Sequence, residues 1–153
     1  MRTAIALLAL VATPALAQLG SLTPPPGAVT ETMKPLDVVE ARTPVGPDTT
    51  PGTTVFTYLI AEPGSYYLTE DLVGDLAMGG IRIEAPDVTL DLNGFSIRTE
   101  FASIDGINAT LEATNLTVKN GTVSGWGADG VTSFAADTTL EDLRFKNNAE
   151  WGA

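Results

Sequence analysis

Asp87-Val88-Thr89-Leu90-Asp91-Leu92-Asn93-Gly94-Phe95 carries the clearest structural signal in the chain. Val88, Leu90 and Leu92 alternate with Thr89 and Asp91, the period of two that sends apolar side chains to one face of a strand and polar ones to the other. Asn93-Gly94 then turns the chain, because both residues tolerate left-handed backbone. Leu116-Thr117-Val118-Lys119-Asn120-Gly121-Thr122-Val123 repeats the pattern, and Thr139-Leu140 opens a third version. Each has a further apolar residue five positions on: Ile97 after Leu92, Val123 after Val118, Phe145 after Leu140.

On either side of these strands, a glycine followed by a small or aliphatic residue recurs at Gly80-Ile81, Gly106-Ile107, Gly130-Val131 and Gly152-Ala153, at spacings of 26, 24 and 22. A steady period with small insertions marks a solenoid. Its alternation of period two calls for strands, which excludes ankyrin-like and tetratricopeptide-like arrays. Leucine-rich repeats share the length but need a Leu and Asn pattern that this chain lacks. About two dozen residues of short strands split by Gly and Asn turns close one coil of a parallel β-helix, and coils then stack at roughly 4.8 Å. Two registers compete. Asn93, Asn120 and Asn147 recur at steps of 27, off the glycine anchors. A slip of one residue would exchange inside and outside, so the glycine alignment is preferred because it keeps Leu92, Val118 and Leu140 inside together.

On Pro63-Gly64-Ser65-Tyr66-Tyr67-Leu68-Thr69, Asp87 to Phe95, and Val118-Lys119-Asn120-Gly121-Thr122-Val123, the chain resembles the pectate-lyase-like right-handed parallel β-helix group of exported bacterial proteins. The resemblance covers about Val55 to Ala153. It implies an all-β, right-handed solenoid of three to four coils. That group includes polysaccharide lyases, glycoside hydrolases, epimerases, phage tail parts and adhesins without catalysis, so it points to the fold and not to one activity. Its lyases hold calcium through carboxylates and use a basic residue several coils in; no such site maps onto these residues.

Met1–Ala17 reads as a signal peptide: Arg2 supplies the charged start, Ala4–Ala12 the apolar run, and Ala15-Leu16-Ala17 the cleavage site. The apolar run is far shorter than the ~20 residues that span a bilayer. The expected address is secreted or periplasmic, with no membrane attachment after cleavage. Residues 18–54 read as a linker, because seven prolines fix φ and remove backbone donors. Residues 55–79 read as an opening strand-turn-strand element, with Pro63-Gly64 suited to a type II turn, and 80–153 as the coils. Trp151-Gly152-Ala153 begins a further anchor with no cap behind it, and an uncapped coil leaves unpaired backbone over an open apolar end. The expectation is a truncated chain whose active site, if any, lies beyond it.

The formal charge is −11, and −12 once a leader carrying Arg2 is removed. Such a surface repels phosphate backbones and anionic lipid, which argues against nucleic-acid and membrane partners. With no Cys there is no disulfide framework, and with no His there is neither the usual neutral-pH base nor the usual zinc ligand.

The residues left for chemistry are few. Asp105 and Asp129 each precede an anchor glycine, so they are candidates for two carboxylates stacked a coil apart, able to hold Ca²⁺ or to act as an acid and base; Asp-Gly is also an ordinary turn pair. No calcium-loop motif is present, so no cofactor is expected and Ca²⁺ has no sequence support. Trp126 and Trp151, each beside a glycine, are candidates for a sugar-stacking platform, or else for turn packing. Glu141, Asp142, Arg144 and Lys146 put both signs on one strand; Arg144 or Lys146 would serve as a lyase base only if buried. Asn108, Asn115 and Asn120 match glycosylation acceptors but read as turn and strand residues. The function expected is binding or processing of extracellular polysaccharide. The alternative is a structural surface or appendage solenoid. No catalytic constellation is legible, so enzymatic activity stays open.

Overall fold

The computed structural model describes residues 42–100 and 104–150, all within one unit, Lys34–Ala153. The leader, its cleavage site, most of the proline-rich run, Trp151 and the Gly152 anchor lie outside the described residues.

Among the described residues every element is a strand. One face of the molecule is a four-stranded parallel sheet of β2 (Phe56–Ile60), β5 (Gly79–Ile83), β8 (Ile107–Ala109) and β10 (Val131–Ser133), paired in the order β10-β8-β5-β2. The other faces are built from β1 (Thr43–Pro44), β3 (Gly64–Tyr67), β4 (Leu72–Val73), β6 (Val88–Asp91), β7 (Ser96–Arg98), β9 (Leu116–Ser124) and β11 (Thr138–Lys146). β9 joins them: its first half pairs with β6 and its second half with β7, because left-handed backbone at Asn120 (φ 59°) bends it in the middle. All ladders are parallel, and four layers stack as a β-solenoid. Among the described residues the one antiparallel contact is an isolated bridge, Pro51 to Tyr58.

The interior consists of columns of like residues. Tyr58, Ile81, Ile107 and Val131 lie in register on one face. Tyr66, Leu90, Val118 and Leu140 form a second column, and Leu72, Ile97, Val123 and Phe145 a third. Ile81, Leu90, Ile97, Ile107, Val118 and Val123 are fully buried, each contributing about 1.5–3 kcal/mol relative to exposure. The glycine anchors hold: Ile81, Ile107 and Val131 are direct partners. Glycine is required there by close backbone approach. A Cβ on Gly80 would sit 2.2 Å from the Gly106 oxygen, and one on Gly106 2.6 Å from the Gly130 oxygen.

The expected register needs one correction. Val118 and Leu140 pair as anticipated, but their partner in the preceding coil is Leu90, not Leu92. Four residues separate Asp91 from Ser96, whereas two separate their partners Lys119 and Thr122. The extra pair is accommodated in an outward corner at Asn93-Gly94, where Gly94 (φ 85°) has open space around it. Leu92 stays inside, over Gly121, where a Cβ would meet it at 2.4 Å. Asn147 is not the counterpart of Asn120; Asp142 (φ 49°) is, as the Leu143–Gly121 pairing requires.

Two earlier segments also differ from expectation. Residues 55–79, read as an opening strand-turn-strand element, hold a third strand as well and form a coil, since β2, β3 and β4 pair in parallel with β5, β6 and β7. The proline-rich run is not tether throughout: β1 pairs with β3, Val45 and Thr50 are buried, and the Val45 N–H donates to the Tyr67 carbonyl at 2.8 Å. Pro44 fits there because an edge strand leaves room for a residue without an N–H.

Candidate functional site

The four-stranded face turns Ile81, Ile83, Ile107 and Val131 inward, so strand alternation places Arg82, Asn108 and Thr132 on the outer side, one per coil and in register, with Asn108 itself buried by its neighbours. Asp105 and Asp129 lie beside this row, stacked a coil apart as the sequence suggested: their carbonyls accept from Gly80 N–H and Gly106 N–H, both at 3.1 Å. Their carboxylates are engaged mostly within their own coils. Asp105 Oδ2 accepts from Asn108 Nδ2 at 2.7 Å and its Oδ1 from the Asp129 N–H at 3.4 Å, while Asp129 Oδ2 accepts from Thr132 Oγ1 at 3.2 Å. Among the described residues no three acidic, His or Cys groups come together to hold a metal ion.

The row leads into a surface groove of about 350 Å³ lined by Arg82, Asn108, Thr110, Leu111, Glu112 and Phe134. Leu111 and Phe134 are 72% and 62% exposed, which leaves an aromatic and an aliphatic face open to a ligand. Arg82 is held on three sides: Nε donates to Glu84 at 2.8 Å, Nη1 donates to Asn108 Oδ1 at 3.2 Å, and the guanidinium lies 5.3 Å from the centre of the Phe56 ring. The Glu112 carboxyl is held below its ordinary value chiefly by the Thr110 hydroxyl, then by the Glu112 backbone N–H and the Arg82 charge.

A second groove, about 340 Å³, follows the bend of β9 and is lined by Gly94, Asn120, Gly121, Thr122, Asp142 and Arg144. Arg144 and Lys146 are exposed on β11, so neither has the buried surroundings that a lyase base requires.

Trp126 does not offer a stacking face. It is 1% exposed, its indole Nε1 donates to the Ile97 carbonyl at 3.2 Å, and its ring lies 2.7 Å from where a Gly74 Cβ would be. Left-handed backbone at Gly125 (φ 79°) aims the side chain inward, where it plugs the corner between coils. Trp151 lies outside the described residues. Leu111, Glu112 and Phe134 were not singled out from sequence. The signal available was an aromatic at 134 immediately after a strand, where a turn would ordinarily be polar.

Comparison with family models, curated proteins and solved structures finds no match for this chain. The site therefore rests on its own geometry.

Proposed function

We propose that this is an exported, right-handed parallel β-helix that engages extracellular polysaccharide along the outer face of its four-stranded sheet. Parallel strands joined by crossovers adopt the right-handed sense in nearly all proteins. The leader-like Met1–Ala17 carries the export reading. One observation carries the functional reading: a row of polar side chains crosses successive coils and ends in an open groove with an exposed aromatic, Phe134. Sugar rings use such a combination, stacking on an aromatic face while hydroxyls meet fixed donors and acceptors. The activity is binding.

A glycan array tests this, with the wild-type chain and a Phe134→Ala variant side by side. The expected result is retention of at least one glycan class, weakened about tenfold by the substitution. Retention unchanged in Phe134→Ala would move the site elsewhere. The rival reading, a solenoid that supplies only length and rigidity, is favoured by the mutual bonding of Asp105, Asn108, Arg82 and Glu84, and an empty array would select it. Release of unsaturated uronate from polyuronate, with or without added Ca²⁺, is expected to be absent.

A further inference from the structure

We infer that the polysaccharide engaged by the Phe134 groove is cationic, a chain bearing free amino groups, selected by Glu112 and Phe134 together. The inference rests on the polysaccharide reading above. Its own ground is the charge of the groove. Arg82 is the one cation among the lining residues, and it is already engaged by Glu84, Asn108 and the Phe56 ring. Arg82 gives its Nε to Glu84 at 2.8 Å and an Nη1 hydrogen to Asn108, so an incoming uronate would meet only the remaining donors while facing the Glu112 carboxylate on the same groove. An ammonium group meets the opposite situation. Glu112 offers it an exposed carboxylate, and the open ring of Phe134 on the same groove offers a face whose quadrupole attracts cations. The chain's formal charge of −11 adds a long-range field of the same sign. A sugar polymer with carboxylates meets repulsion from Glu112 and from the net negative charge, against the attraction of Arg82, and a neutral one gains only from stacking and hydrogen bonds.

The test is calorimetric titration of the full chain with three probes of equal length: a fully deacetylated glucosamine oligomer, its N-acetylated counterpart and a galacturonate oligomer. The glucosamine oligomer is expected to bind at least tenfold more tightly than either of the others. Glu112→Gln is expected to weaken it about threefold to fivefold, the size of an exposed ion pair, with no effect on the N-acetylated oligomer. Glu141→Gln, a neutralisation on the exposed part of β11, controls for general attraction between a polyanion and a polycation and is expected to change nothing. Equal or tighter binding of the galacturonate or N-acetylated oligomer overturns this inference and leaves the polysaccharide reading standing. Equal weakening by Glu112→Gln and Glu141→Gln also overturns it. Binding of none of the three, together with an empty array, removes the polysaccharide reading itself.

Discussion

Asn115 lies directly over Asp87 in the next coil and donates its side-chain Nδ2–H to Asp87 Oδ1 at 2.7 Å. Both residues are in the left-handed region, φ 57° and 53°, and the chain continues the stack with Asp137 at φ 58°, whose carbonyl accepts from the Leu116 N–H. A corner that must be left-handed in every layer favours Asn or Asp each time, and an amide between two acids keeps like charges from stacking at the interstrand spacing.

Replacing Asn115 by Asp is therefore expected to cost about 1 kcal/mol at neutral pH, since three carboxylates would then face one another on an exposed edge. The penalty exists only while they are ionised, so it should shrink as pH falls through the carboxylate range. Urea denaturation of the Asn115→Asp and wild-type chains at pH 7 and pH 4 checks this; a difference that does not depend on pH would point to geometry instead of charge.

Gly106 and Gly94 are constrained for different physical reasons. Gly106→Ala would force a Cβ to within 2.6 Å of the Gly130 oxygen and 2.7 Å of Trp126 Nε1 and is expected to destabilise by about 3 kcal/mol. Gly94→Ala meets nothing within 4 Å and bears only the left-handed backbone penalty, about 1 kcal/mol. Thermal denaturation of the two variants should separate them clearly, and a reversed order would contradict the coil stacking.

Trp126 should behave as a core residue. In a Trp151→Phe background its emission should be blue-shifted and poorly quenched by acrylamide. Trp126→Ala should cost about 3–5 kcal/mol through the cavity it leaves between coils. Free access of quencher to Trp126 would contradict its placement beneath Gly74 and Gly106.

Tyr66 supplies an alkaline signature. Burial, and then the charge of Glu62, raise its phenol above the ordinary 10.0. A phenol whose folded value is raised contributes stability that is complete below the unfolded value and is lost as pH climbs through the folded one. Stability should therefore fall above about pH 10, and Tyr66→Phe should flatten that decline. The substitution also removes the 2.8 Å hydrogen bond from the Tyr66 hydroxyl to the Glu62 carbonyl, at a cost of about 1 kcal/mol near neutral pH. Denaturant midpoints measured from pH 7 to pH 11 check both limbs.

From the residues alone it follows that strands stack in coils, which face of each points inward, and that Gly80, Gly106 and Gly130 mark equivalent positions. Those properties follow from local alternation and from backbone approach too close for a side chain, and both leave a periodic trace in the residues. Tertiary structure alone decided the two-residue shift that pairs Leu90 with Val118, because a corner can lengthen outward at Asn93-Gly94 without disturbing the alternation on either side. It also decided that Trp126 is buried while Phe134 is exposed. A residue at a corner has no alternation to orient it, so its direction depends on the space left by Gly74 and Gly106 in neighbouring coils, which lie far away in the chain.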